Sequence, residues 1–142
     1  VKMRLAGPST RRDSMPHHRR SESILELYYH TVDHDVLIIK ADGGLAAHNA
    51  DQFLEGLGTL IESGASKIIV DCTALKYISS YGVGVLVRLH KKLAQRGGQV
   101  RLAAVESGVF TVLRLVRLEQ VFHSYPTVED ARLSFEAERS AS

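Results

Sequence analysis

Apolar residues along the chain follow two different periods. Short runs that alternate, or that consist largely of β-branched residues, predict five β-strands, near residues 24–32, 36–41, 67–70, 100–104 and 121–122. Longer stretches repeat apolar residues every three or four positions and predict four helices, over roughly residues 50–61, 82–93, 109–116 and 127–135. The predicted order of elements is ββαβαβαβα.

Polar residues and glycines mark the predicted ends of these elements. The triplet Asp42-Gly43-Gly44 is expected to end the second strand, and Asn49 is expected to cap the first helix. Ser107 is expected to open the third helix. Gly82 and Gly84 stand near the start of the second helix, where we expect them to let the helix pack closely against the sheet.

The order of elements predicts the fold class. Strands that are separated by helices pair in parallel, whereas the two opening strands form an antiparallel hairpin. The expected fold is therefore α/β, with a mixed, mostly parallel sheet of about five strands and four helices. The domain is expected to span residues 23–138, after a disordered basic leader over residues 1–22 and before a frayed end at residues 139–142.

Charge is distributed unevenly between the leader and the domain. Residues 1–20 carry six basic side chains and one acidic one, while the remaining 122 residues carry 12 basic and 15 acidic side chains. A mildly acidic domain argues against nucleic-acid binding. Since no apolar run is long enough to cross a bilayer, the sequence predicts neither a nucleic-acid partner nor a membrane span.

Cysteine and histidine are distributed without the spacing of a structural or catalytic centre. Cys72 is the one cysteine, which excludes an intrachain disulfide and a cysteine-based metal cluster. A single unpaired cysteine favours a reducing, cytoplasmic location. The seven histidines show no metal-like spacing. No metal and no cofactor are therefore expected.

In a sheet of this kind, binding groups gather where the strands end and the next helices begin. The residues predicted to lie there are Asp42, Gly43, Gly44, Asp71, Thr73, Ser79 and Ser80. This set lacks a histidine base for a serine nucleophile. The segment Gly82-Val83-Gly84 also lacks the Lys-Ser/Thr ending of a phosphate loop. The sequence thus predicts a binding module and not an enzyme.

The segment Lys67–Leu89 reads KIIVDCTALKYISSYGVGVLVRL. It resembles the core of the STAS family, which includes the bacterial anti-sigma factor antagonists. The shared pattern is an apolar strand, Asp-Leu-Ser or similar, Asp/Ser-Ser-X-Gly and an apolar helix. The similarity covers roughly residues 24–136, including the glycine pairs at 43–44 and 97–98. It implies a STAS-like fold in a bacterial protein.

The resemblance also implies a function. In the antagonists the phosphorylated serine stands two residues before the motif glycine, a position that Ser80 holds before Gly82. The unphosphorylated chain is then expected to sequester a serine-kinase anti-sigma factor, which supplies ATP and Mg²⁺, and so to regulate transcription. A phosphatase resets the state, and a weak homodimer is a further expectation. The expected partner-binding residues are Asp42, Gly43, Asp71, Ser79, Ser80, Tyr81 and Gly82.

Several alternatives stay open at the level of sequence. Ser80 acts only as a helix cap in one of them, and Ser79 or Thr73 is the phosphorylated residue in another. The chain departs from the family where Ser79 replaces a frequent acidic residue and where residues 43–46 read Gly-Gly-Leu-Ala instead of Gly-Glu-Leu-Asp. Two other functions compete with the antagonist: a non-switching STAS scaffold of a stress-signalling or lipid-transport complex, and a nucleotide-binding STAS module.

Overall fold

The computed structural model describes residues 2–6, 24–33 and 35–141. These residues form the strands β1 (Lys2–Ala6), β2 (Ile24–Val32), β3 (Val36–Leu45), β4 (Lys67–Asp71), β5 (Leu75–Ile78), β6 (Gln99–Ala103) and β7 (His123–Tyr125). The helices are α1 (Ala47–Glu62), α2 (Ser80–Gln95), α3 (Ser107–Leu115) and α4 (Val128–Ala141), with a 3-10 turn at Leu118–Gln120. None of the described helices is long and apolar enough to cross a membrane.

The strands form one mixed sheet in the order β1-β2-β3-β4-β6-β7, with β5 beside the end of β3. The pairs β1–β2 and β2–β3 are antiparallel. The other pairs are parallel: β3–β4, β3–β5, β4–β6 and β6–β7. The predicted α/β class and mostly parallel sheet are therefore confirmed, as is the antiparallel opening hairpin.

The main core lies between one face of the sheet and the helices α1, α2 and α3. Alternate residues of each central strand point into it, such as Ile39 of β3 and Val70 of β4. The helices bury one apolar side against this face, as with Phe53 of α1 and Leu89 of α2. This packing orients the start of α2 above the ends of the strands, where the candidate site lies.

The other face of the sheet is covered by α4, which buries Ala131 and Phe135 there. Arg101 of β6 lies under this helix with 2% of its surface exposed. Its guanidinium donates to Ser134 Oγ at 2.5 Å and to the carboxylate of Glu138, and its Cζ atom lies 3.9 Å from the centre of the Phe135 ring. These contacts compensate a buried cation that would otherwise be costly.

The second predicted strand is longer than the sequence indicates. Asp42-Gly43-Gly44 does not end it, since β3 continues to Leu45. Gly43 has a φ of 127°, a conformation that glycine adopts readily, and the register shifts between Gly43 and Gly44. The continuation pairs with β5, a four-residue strand that is too short to be recognised from periodicity.

Two predicted element ends were also wrong, whereas Ser107 is confirmed as the first residue of α3, after the N-cap Glu106. The first helix begins after Ala46 and not after Asn49. The last strand lies at His123–Tyr125 and not at residues 121–122, because Phe122 is buried in the core as the chain leaves the 3-10 turn. Each error is a shift of a few residues and leaves the order of the helices unchanged.

The beginning of the chain differs from the predicted disorder of residues 1–22. Lys2–Ala6 form β1, which pairs with β2 along the outer edge of the sheet. An edge strand exposes a row of unpaired backbone N–H and C=O groups, and β1 forms hydrogen bonds with those of β2. Residues 7–22 lie outside the described residues. At the other end α4 runs through the segment that was expected to fray, as far as Ala141.

Replacing Phe135 by alanine tests how far α4 depends on this single contact. We expect Phe135→Ala to lower the free energy of unfolding by about 3–5 kcal/mol, because it removes a buried ring and the stacking partner of Arg101. Leu133 is 43% exposed on the same helix. The control Leu133→Ala should therefore cost less than about 1 kcal/mol. Urea unfolding of both variants measures the difference, and equal losses would contradict this account of the packing.

Candidate functional site

The candidate site is built around the carbonyl oxygen of Leu45, the last residue of β3. This oxygen accepts a hydrogen bond from the backbone N–H of Ser79 at 2.9 Å. Gly82 lies so close that an added Cβ atom would meet the same oxygen at 2.6 Å. The predicted close packing is thus confirmed for Gly82. It is wrong for Gly84, where an added Cβ atom has nothing within 4 Å.

A buried asparagine fixes the end of β3 from the other side. Asn49 has no exposed surface, and its Nδ2 donates to the carbonyl of Gly44 at 3.0 Å. Its Oδ1 accepts from the backbone N–H of Ala46, also at 3.0 Å. Asn49 is therefore not the N-cap that the sequence predicts. It is the third residue of α1, in the first turn, and it holds the strand end that carries the Leu45 carbonyl.

The two serines at the start of α2 have different roles. Ser79 is the N-cap, with extended backbone dihedrals, and its Oγ accepts from the N–H of Gly82 at 3.1 Å. Ser80 is the first helical residue and is exposed. No hydrogen bond to the Ser80 hydroxyl occurs among the described residues. The interpretation of Ser80 as only an N-cap is wrong, because Ser79 performs that role.

Electrostatics at this helix start favour a negative group. The first N–H groups of a helix have no intrahelical acceptor and form the positive end of the helix dipole. No acidic side chain lies in the first turn of α2. A phosphate carried on Ser80 would consequently sit in a favourable field without disturbing the cap at Ser79.

Two exposed tyrosines lie within three residues of Ser80. Tyr81 is 37% exposed and its hydroxyl donates to Asp51 Oδ1 of α1 at 2.8 Å. This hydrogen bond, with a smaller effect of desolvation, raises the pKa of Tyr81 and keeps the phenol neutral. Tyr77 of β5 is 53% exposed and lies beside Gly44. Exposed aromatic rings of this kind are frequent anchors in protein interfaces.

Sequence reasoning found Tyr81 but missed Tyr77, Asp51 and the role of Asn49. Tyr77 belongs to the short strand β5, which the periodicity did not indicate. Asp51 lies 30 residues before its partner Tyr81, so no local pattern connects the two.

The other predicted site residues lie near the same strand ends. Asp71 Oδ1 accepts from both the N–H of Thr73, at 3.0 Å, and its hydroxyl, at 2.6 Å. The N–H of Gly43 donates to the carbonyl of Ala74 at 3.0 Å, which joins this loop to β3. Asp42 is exposed within β3, three residues before its end, opposite Glu26 of β2. Within the described part of the chain, no hydrogen bond links Asp42 or Asp71 to Ser80.

Among the described residues, the cysteine and the acidic and histidine side chains do not form a reactive centre. Burial, followed by the nearby charge of Asp71, raises the pKa of the Cys72 thiol to about 12, so the nucleophilic thiolate is scarce at neutral pH. The part of the chain that the structure describes contains no group of three or more histidine, cysteine or acidic side chains that could hold a metal ion.

A cavity of about 510 Å³ lies away from these residues, at the carboxyl ends of β6 and β7. Its lining comprises Ala104, Val105, Phe110, Glu119, Phe122, His123, Ser124, Tyr125 and Pro126. This wall contains no lysine or arginine and none of the predicted site residues. It therefore offers little to a phosphate-bearing nucleotide.

Comparison with known proteins gives one consistent result. The model of the STAS domain family matches residues 30–131. A Thermotoga maritima protein named "Putative anti-sigma factor antagonist" is 29% identical over 104 residues, which cover 72% of this chain and 91% of the relative. A Bordetella bronchiseptica protein named "Putative anti-sigma factor antagonist BtrV" is 27% identical over 100 residues, covering 70% and 86%.

Solved structures agree with the sequence comparisons. The crystal structure of a "putative anti-sigma factor antagonist" from Thermotoga maritima matches with a TM-score of 0.70 at 28% identity, covering 76% of this chain and 92% of that one. The unphosphorylated form of the anti-sigma factor antagonist SpoIIAA, from Bacillus, also matches with a TM-score of 0.70. At 23% identity, with 78% and 96% of the chains covered, the SpoIIAA match is evidence for the shared fold.

The close approach of Gly82 to the Leu45 carbonyl can be tested by adding one methyl group. Gly82→Ala should lower the free energy of unfolding by about 1–3 kcal/mol, because its Cβ atom would overlap a backbone oxygen that cannot easily move. Gly84→Ala is the matched control two residues further along α2 and should not destabilise the domain, since its Cβ atom meets nothing. Thermal unfolding of both variants measures the effect. A Gly82→Ala protein as stable as wild type would contradict the close contact between Gly82 and the Leu45 carbonyl.

The separate roles of the serines predict different stability effects. Ser79→Ala should lower the free energy of unfolding by about 1 kcal/mol, because the N–H of Gly82 loses its acceptor. Ser80→Ala should change it by less than about 0.5 kcal/mol, because this exposed hydroxyl makes no hydrogen bond within the described residues. Urea denaturation distinguishes the two variants. The opposite ranking would mean that Ser80 is the capping residue.

Proposed function

The chain belongs to the STAS domain family, and on that premise we propose that it is an anti-sigma factor antagonist controlled by phosphorylation of Ser80. In its unphosphorylated state it binds and sequesters a serine-kinase anti-sigma factor, and so it frees a sigma factor for transcription. This chain is the substrate of the kinase and contributes no catalytic group of its own. The curated relatives named as antagonists support the class of partner.

The observation that carries the proposal is the contrast between two adjacent serines. Ser79 uses its hydroxyl to cap α2, whereas the hydroxyl of Ser80 is exposed and makes no hydrogen bond within the described residues. A kinase can therefore reach Ser80 without first breaking a contact that holds the helix. Thr73 is a poorer acceptor, because its hydroxyl is bonded to Asp71 at 2.6 Å.

Phosphorylation changes the surface and leaves the fold intact. The kinase supplies ATP, Mg²⁺ and the base that removes the hydroxyl proton, and the γ-phosphoryl group is transferred to Ser80 Oγ with release of ADP. The modified residue gains about −1.5 to −2 charges at pH 7. At the start of α2 this charge is compatible with the helix dipole. In a docked complex it has to be desolvated against the partner, at a cost of about 3–4 kcal/mol, or some hundreds-fold in affinity. A phosphatase reverses the modification.

The departures from the family pattern are compatible with this function. Antagonists often have an acidic residue where this chain has Ser79, and both serine and aspartate are good N-caps. Ser79 thus still caps the helix, and the surface beside Ser80 has one negative charge fewer than in those antagonists. The missing carboxylates at Gly44 and Ala46 act in the same direction. The surface around Ser80 is therefore less acidic than the family pattern implies, and we expect its partner to differ accordingly.

Mass spectrometry and a charge substitution test the switch together. The chain is expressed in its native host, and its phosphorylation state and site are determined by intact-mass and fragment analysis. We expect a single phosphate on Ser80 in wild type and none in Ser80→Ala. In pull-down experiments Ser80→Ala should retain the wild-type partner, while Ser80→Asp should lose it, because a fixed negative charge imitates part of the phosphate.

Two results would argue against the antagonist function. One is the absence of phosphate under all growth conditions, combined with an unchanged partner for Ser80→Asp; it would favour the non-switching STAS scaffold. The other is a phosphate on Ser79, which would move the switch to the capping residue. Circular dichroism of Ser80→Asp should match wild type, so that lost binding reports on the surface and not on unfolding.

A further inference from the structure

Gly84 occupies a position that the domain itself does not explain. It lies in the second turn of α2 and is exposed, and an added Cβ atom would meet nothing within 4 Å. Glycine in a helix interior is less stable than alanine, because it loses more backbone freedom on folding. At Gly82 a close contact accounts for the glycine. At Gly84 nothing within the described fold does.

Gly84 lies on the same side of α2 as Ser80. Residues three or four apart on a helix follow one another along one face, which here places Ser80, Gly84, Arg88 and Lys91 in one exposed row. We call these four residues the Ser80–Lys91 face. The buried side of the helix, with Leu86, Leu89 and Leu93, faces the core instead. A partner that contacts Ser80 therefore meets Gly84 next.

The charge of this face differs from that of the rest of the domain. Helix α2 carries Arg88, Lys91 and Lys92 and no acidic residue, whereas residues 21–142 as a whole carry 12 basic and 15 acidic side chains. Asp51 of α1 lies 4.0 Å from Arg88, an exposed pair of little strength. The part of the Ser80–Lys91 face formed by Arg88 and Lys91 is thus positively charged, although the domain as a whole is mildly acidic.

Resting on the proposed function, we propose that the anti-sigma factor docks along the Ser80–Lys91 face. Its main chain or a small side chain approaches the α2 backbone at Gly84, and its acidic side chains face Arg88 and Lys91. Glycine is the residue that permits such close approach of a second chain. An acidic docking surface also gives a reason why phosphate on Ser80, at the end of the same row, opposes binding: like charges are brought together.

Gly84→Ala separates a docking role from a structural role. The anti-sigma factor recovered with the wild-type chain is purified and titrated with unphosphorylated wild type and variants. We expect Gly84→Ala to weaken binding at least about tenfold, because its methyl group fills the space of close approach. The same change should raise the melting temperature by about 2–5 °C, because alanine favours the helix. Loss of binding with gain of stability is an outcome that misfolding cannot produce.

Gly58→Ala is the matched control. Gly58 lies in the interior of α1, and its added Cβ atom meets only the end of the Lys92 side chain at 3.9 Å. This variant should raise the melting temperature similarly and leave the affinity unchanged. Lys91→Glu tests the charge: it should weaken binding at low salt, and the difference from wild type should shrink as salt is added.

Each remaining outcome decides against a specific claim. If Gly84→Ala binds as wild type while Ser80→Asp does not bind, the docking face is wrong and the phosphorylation switch stands. If neither variant changes binding, the switch itself is wrong. A lower melting temperature of Gly84→Ala would give the glycine a structural role and overturn the proposal. The proposal would also be overturned if Gly84→Ala changed the self-association of the free chain, measured by sedimentation, and left the binding of the anti-sigma factor unchanged.

Discussion

The carbonyl oxygen of Leu45 joins the sheet to the helix that carries the candidate site. It accepts the N–H of Ser79, and it lies so close to Gly82 that no side chain fits between them. Asn49 holds the same strand end from the side of α1. Because these contacts are made by backbone atoms and one buried side chain, the start of α2 is fixed in position whatever the surface residues are. The exposed residue Ser80 is thus presented on a rigid support.

Under the proposed function, this arrangement assigns the structural and the regulatory roles to neighbouring residues. Two residues face inward: Ser79 caps α2, and Gly82 packs against the end of β3. The groups that face outward, Ser80 and Tyr81, are accessible at the surface, and Tyr81 is oriented by the hydrogen bond that its hydroxyl donates to Asp51 of α1. A modification of an outward group therefore has little effect on folding and a direct effect on whatever docks there. A switch that had to break the cap would instead couple binding to the stability of the whole helix.

The sequence predicts the order and class of the elements because periodicity is a local property, and burial on one face of a sheet or helix enforces it. It fails where the decisive partner is distant in the chain. The strand β5 exists because the end of β3 pairs with it, and Arg101 is buried because Ser134 and Glu138 cover its charge. At the candidate site, motif spacing singled out Ser80 as the expected phosphorylated residue, which stays a prediction. It did not show that Ser79 makes the cap, because a shift of one residue at a helix start depends on the Leu45 contact.

The distribution of charge links the departures from the family pattern to the geometry of α2. Ser79, Gly44 and Ala46 stand where the antagonists often carry carboxylates, and each change makes the neighbourhood of Ser80 less negative. Helix α2 adds basic residues and no acidic ones. With few fixed negative charges nearby, the charge state of one residue determines a larger part of the local field. Under the proposed function, phosphorylation of Ser80 therefore adds negative charge to a surface that has few fixed carboxylates of its own.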